Sequence, residues 1–207
     1  MFAKSGEESV VPVAMLGLQD QKNLFLGNKG EWKSTCIPAY VRRYPFILAA
    51  DPSGNNFTVC IDESYSGFNT AKEGERLIDT EGEHGPLLKR SVEFLKEYQA
   101  HVQITLAFCK KLQDLDILES AQVNIETGDG QRLSMAGFLC INRQKFKELK
   151  AEDYAELVKL DYMDLIYAHF HSLTNLQALV EHLKGGKAKT KDAGGAKPKA
   201  KPKPKSH

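Results

Sequence analysis

Two adjacent arginines framed by two tyrosines and two prolines, in the run Pro38-Ala39-Tyr40-Val41-Arg42-Arg43-Tyr44-Pro45-Phe46, are the residues best suited to chemistry in this chain. A guanidinium presents a planar fork of donors that grips a carboxylate or phosphate through two bonds, and its face stacks on aromatic rings. Tyr40, Arg42, Arg43 and Tyr44 are therefore candidate contacts for an anionic ligand or partner. The competing reading pairs both arginines with carboxylates of the protein's own acidic surface.

A second grouping is Cys60-Ile61-Asp62-Glu63, a thiol beside two carboxylates at a strand end. Such residues serve nucleophilic and acid/base catalysis. A reactive thiolate needs electropositive surroundings, however, and these neighbours are acidic. Asp62 and Glu63 stay in the set as ligand contacts only. His169 joins them, although a buried polar contact between the Tyr167-Ala168-His169 stretch and the sheet is the structural alternative. His169 and His171 stand about 200° apart on a helix and cannot chelate one metal as an i, i+4 pair would.

Cys36, Cys60, Cys109 and Cys140 form no CxxC pair and have no histidine at ligand spacing, so zinc is not indicated. Their apolar neighbours mark them as reduced core residues. No GxGxxG, GxxxxGK[ST], GxSxG or HExxH motif occurs. No catalytic residue, metal or cofactor is assigned on this basis. A binding role is favoured over an enzymatic one.

The elements that must position these residues read as an α+β fold: antiparallel β meander and hairpins packed with a long central helix and C-terminal helices. Val11 to Leu18 forms the first β-prone run. Asn23 to Leu26 and Glu31 to Lys33 flank Gly27-Asn28-Lys29-Gly30, whose glycines suit a tight hairpin. Phe46 to Ala50 and Phe57 to Ile61 flank another turn-rich connection, giving a meander of about five short strands in the first half. Residues 62 to 85 are polar, acidic and glycine-rich and predict a long loop. Pro86 then opens a helix to about Gln113, with Leu88, Val92, Leu95, Val102, Leu106, Cys109 and Leu112 on one face. Ala121 to Glu126 and Arg132 to Ile141 alternate as a hairpin. Phe146 to Leu149, Ala151 to Leu160 and Asp161 to Leu183 return to helix.

The chain of 207 residues is long enough for one domain with its own core, placed at residues 1–183. From Lys184 onward, nine Lys and one Asp give +8, and the remaining 19 basic and 26 acidic residues leave the body at −7. The tail, residues 184–207, carries little that is apolar beyond Ala and Pro and is expected to be disordered, with its Lys-Pro end extended. The acidic body argues against nucleic acid as its partner, whereas the basic tail can touch anionic surfaces through charge. Uninterrupted apolar stretches fall far short of the roughly 20 residues that cross a bilayer, so no transmembrane segment is expected. The N-terminus does not read as a signal peptide, which places the chain in the cytoplasm by sequence.

The order of several segments resembles the bacterial SapC family, associated with paracrystalline surface layers. The likeness rests on PVAMLGLQDQKNLFL (Pro12 to Leu26), CIPAYVRRYPFIL (Cys36 to Leu48), CIDE (Cys60 to Glu63), SVEFLKEYQ (Ser91 to Gln99), GFLCIN (Gly137 to Asn142) and LIYAHFHSLTNLQAL (Leu165 to Leu179). The resemblance implies an accessory role at a surface layer or cell envelope, with a protein or envelope component as the unknown partner. Two alternatives stand beside it. One is an enzyme, or the partner subunit of one, acting on a small sugar or aromatic compound in a cleft roofed by residues 62–85. The other is electrostatic binding of anionic membrane or nucleic acid through the tail. Relatives that the chain resembles carry roughly 40 to 50 further residues before the PVAMLGL-like strand, so this copy reads as lacking them. Met1 to Lys4 looks like the interior of a strand, and an uncovered sheet edge is the expected consequence.

Overall fold

The computed structural model describes residues 1–6, 9–19, 21–51, 56–71, 73–126 and 132–188. Its first strands, β1 (Phe2–Ser5) and β2 (Ser9–Pro12), form an antiparallel hairpin that sends Phe2 and Val10 into the core. The strand expected to run on to Leu18 stops at Pro12, opposite the first residue of β1, with Val13 N–H giving a last bond across to Met1 C=O. The next expected hairpin is reduced to one bridge, Leu26 to Trp32, around a turn in which Gly30 takes φ +81°. Phe25 and Trp32 stack across it with centroids 5.8 Å apart.

A one-turn helix, α1 (Ala39–Arg42), follows and leads into β3 (Phe46–Ala50) and β4 (Phe57–Ile61). These two strands pair antiparallel in a sheet of their own, from Phe46↔Ile61 to Ala50↔Phe57. Residues 62–85 form the predicted long connection, with one bridge between Ile78 and His84 among those described. Then comes α2 (Pro86–Asp114), about 43 Å long at 1.5 Å per residue. The hairpin β5 (Leu118–Glu126) and β6 (Arg132–Ile141) is longer than its sequence signal suggested. The chain ends its described part in α3 (Arg143–Lys147), α4 (Ala151–Lys159), α5 (Tyr162–Leu173) and α6 (Asn175–Ala188). Residues 189–207 of the expected tail lie outside the described residues.

The α+β class is as the sequence predicted, but the strands do not follow one another as a single meander. The larger sheet has the order β2-β1-β6-β5, so β1 sits inside it against a strand from the far end of the chain, paired at Phe2↔Leu139. The long helix also differs in what it buries. Leu88 and Leu95, near its start, pack with Phe46, while Phe108, Cys109 and Leu112, near its end, pack with Phe2, Ile117, Leu157 and Ile166. Residues 96–107 between them contribute no buried side chain. The apolar periodicity is continuous in the sequence; the burial is not.

The β5–β6 ladder carries a bulge between the pairs Ala121↔Phe138 and Val123↔Met135, where Gly137 takes φ +91°. Open space surrounds the position of a Cβ there, so the demand for glycine is purely one of backbone conformation. Gly137→Ala is expected to cost about 1–2 kcal/mol in chemical denaturation, with the midpoint shifted and the slope unchanged.

Candidate ligand-binding site

The arginine pair is placed by a tight turn. Pro38 C=O accepts the amides of Val41 and Arg42, and Arg43 C=O accepts that of Phe46, so α1 folds back and lies against the waist of α2. There the Arg42 guanidinium sits 4.6 Å from the Phe94 ring centroid. Arg43 lies 4.2 Å from the centroid of Tyr40 and 5.4 Å from that of Tyr98. Phe94 and Tyr98 are one helical turn apart and present adjoining rings, 6.5 Å between centroids.

Among the described residues, neither arginine has a carboxylate within 4.0 Å; the ion pairs form elsewhere, at Arg90–Glu75, Lys110–Asp114, Lys111–Glu156 and Lys145–Asp116. Pairing with the acidic body is therefore replaced by stacking. The attraction of a cation for a ring face is worth about 0.5–1 kcal/mol when exposed, and it leaves the N–H edges of the fork to other acceptors.

Tyr44 and Asp62, far apart in sequence, meet at the end of the β3–β4 sheet. The Tyr44 hydroxyl donates to Asp62, which also accepts the Ser64 hydroxyl at 2.6 Å and the Ser64 amide at 3.0 Å. The Ser64 bonds, then the one from Tyr44, hold the Asp62 carboxyl below its ordinary range. Lost hydration around the phenol, then the bond and charge of Asp62, push Tyr44 up. The Tyr44 ring meets Tyr65 edge-on at 5.4 Å, and Tyr65 meets Phe68 at 5.3 Å, building an aromatic wall.

Arg42 stands on the ridge between two grooves. One, of about 860 Å³, is walled by Tyr44, Tyr65 and Phe68 and reaches Asn69, Thr70 and Arg76. The other, of about 920 Å³, runs between β2 and α2, past Tyr40, Val41, Phe94, Tyr98 and His101. Both fall within the usual size of small-molecule sites.

The expected residues are only partly brought together. Tyr40, Arg42, Arg43, Tyr44 and Asp62 cluster around α1 and the strand ends. Glu63 is exposed beside them and makes no hydrogen bond or ion pair among the described residues. His169 stands apart from them and makes the buried polar contact with the sheet that was its structural alternative. It lies in the other core, against Phe2 at 5.1 Å between centroids, and its Nε2 accepts the Ile141 amide at 3.1 Å. Asn142 N–H donates to Ile117 on the β5 side, so Ile141 N–H points the opposite way, where β1 offers no acceptor and the histidine supplies one. Burial lowers the His169 pKa to about 4. Tyr167, its expected companion, instead faces Phe146 and Phe170.

Phe94, Tyr98 and His101 were missed from sequence, although the i, i+4 aromatic pair at the edge of the helix's apolar face was a readable signal. Of the cysteines, Cys109 and Cys140 are buried free thiols whose pKa burial raises, Cys109 to about 11. Cys36 is exposed rather than in the core. Among the described residues, no group of three or more His, Cys, Asp and Glu could hold a metal ion, and no helix is long and apolar enough to cross a membrane.

These features define an α+β protein with a cationic, aromatic-backed patch between two grooves as its candidate site. The SapC family model matches residues 1–179, and the chain belongs to the SapC family. No curated protein and no solved structure matches it.

Two outcomes follow from the titrating groups. Asp62→Asn removes the charge that raises Tyr44, so the Tyr44 resonance in ring-labelled protein should titrate at lower pH than in the parent. For His169 the folded state favours the neutral ring. Its contribution to stability is complete above pH ~6.5 and is lost as pH falls toward about 4, because the unfolded chain takes up the proton first. The full loss amounts to about 3 kcal/mol, and urea denaturation across this window should be flatter for His169→Gln.

Proposed function

We propose that this SapC-family protein is a non-enzymatic binding or accessory protein that holds an anionic group at Arg42 and Arg43, in the service of a surface-layer or cell-envelope component. The observation that carries the reading is the state of those two guanidiniums. They are stacked on Phe94, Tyr40 and Tyr98 and have no ion-pair partner among the described residues, on a body whose net charge is −7. Carboxylates are abundant, yet the arginines are held against rings, an arrangement that keeps their forks available. Tyr40 and Tyr44 flank the anion, Asp62 acts by orienting Tyr44, and Glu63 stands at the rim.

A second reading has one observation in its favour. The wall of Tyr44, Tyr65 and Phe68 suits stacking of a planar aromatic or the apolar face of a sugar, which fits a subunit acting on such compounds beneath residues 62–85.

Titration of the full chain with inorganic phosphate and with benzoate tests the first reading. Arg42→Ala/Arg43→Ala should weaken binding about tenfold or more, and Arg42→Lys/Arg43→Lys should restore only part of it, because an ammonium keeps the charge without the fork. Binding that survives the double alanine variant with only a lowered melting temperature overturns the assignment. Recovery of the parent, but not the variant, in the cell-envelope fraction is the expected cellular counterpart.

A further inference from the structure

We propose that the groove between β2 and α2 binds the hydrocarbon chain of a single-chain anionic amphiphile, such as a fatty carboxylate, whose headgroup rests on Arg42. The inference builds on the anion-binding reading of that turn and names the class of ligand. Three observations converge on it.

The first is the groove's lining. Val11, Val13, Val41, Val102 and Leu106 form its walls, and Val13, Val41 and Leu106 are each about 40% exposed. The second is why they are exposed. Helix α2 is anchored in separate cores near its two ends, and no side chain of its waist, residues 96–107, is fully buried, so Val102 is only half-covered and Leu106, like Val13 and Val41, is left facing the channel. From Phe94 to Leu106 the channel follows the helix for about 18 Å, the reach of an extended medium-length chain.

The third is charge. Arg42 lines the α1 end of this groove, while Arg43 stacks on Tyr40 and Tyr98, which line it as well. Glu97 also lines the groove, yet neither arginine has a carboxylate within 4.0 Å among the described residues. A purely polar anion would leave the apolar walls wet. A neutral hydrocarbon would leave the arginines without a counter-ion. An amphiphile with an anionic head satisfies both, its chain buried by the hydrophobic effect and its head held by the fork.

Calorimetric titration of the full chain with butyrate, octanoate and laurate, each below its micelle concentration, tests the proposal. Affinity should rise about two- to fourfold per added methylene until the groove is filled. Leu106→Asp should flatten that dependence and weaken laurate about tenfold or more. Val102→Ser provides a second, milder variant with the same direction of effect, and circular dichroism checks that both fold. Arg42→Ala should weaken every chain length.

Equal affinity for butyrate and laurate, with sensitivity to Arg42→Ala retained, overturns the amphiphile while leaving the anion site standing. Absence of binding by any of the carboxylates, phosphate or benzoate overturns both. Laurate binding that is insensitive to Leu106→Asp and Val102→Ser but vanishes when residues 189–207 are removed assigns the effect to the basic tail and overturns the groove. Binding confined to anionic phospholipid vesicles overturns the single-chain ligand.

Discussion

One rigid rod serving two hydrophobic cores is the constraint on which the rest of the molecule depends. Helix α2 places Leu88 and Leu95 under the β3–β4 sheet and carries Phe108, Cys109 and Leu112 to the larger sheet and the C-terminal helices. A helix cannot shorten without breaking its hydrogen-bond ladder, so the two cores stand apart at a separation set by its rise per residue. The waist between them reaches neither core, and its side chains are at most half-buried. The turn of α1 settles there, and the two grooves open on either side of it.

The electrostatics of that junction follow from rings rather than from carboxylates. Exposed ion pairs, such as Arg90–Glu75 with more than half of each side chain accessible, contribute little to stability and are free to form and break. The arginines of α1 are instead held by the faces of Phe94, Tyr40 and Tyr98, an attraction that fixes the position of the cation without neutralising it. Asp62 acts on the phenol instead. With its charge stabilised by Ser64 and Tyr44, it pins the ring that begins the aromatic wall. His169 belongs to neither arrangement. It is a neutral acceptor for a strand amide that would otherwise be left unpaired in the core.

Much of the fold was legible locally. Pro86 and the apolar repeat after it announced α2 almost to its last residue, and the turn chemistry around residues 51–56 announced β3 and β4. The candidate site was legible in part. Tyr40, Arg42, Arg43 and Tyr44 announce themselves as a contiguous run, but Phe94, Tyr98 and Tyr65, which hold them, lie in other segments, and their part in the site appears only when the chain folds back. The same limit explains His169: residue type alone does not distinguish a histidine that touches ligand from one that caps a strand.

By itself, then, the sequence determined the class of fold, the helix that organises it, the acidic body with its arginine-rich turn, and the segments that mark the SapC family. These depend on periodicity, turn chemistry and composition, which act over a few residues or over the whole chain at once. Tertiary structure alone decided that β1 lies beside β6, that α2 is buried at its ends and only half-covered at its waist, and that the arginines stack on rings rather than pair with the surrounding acids. Each of those outcomes is a competition between contacts distant in sequence, settled by which surfaces the packed elements bring within a few ångströms of one another. No local pattern records that competition.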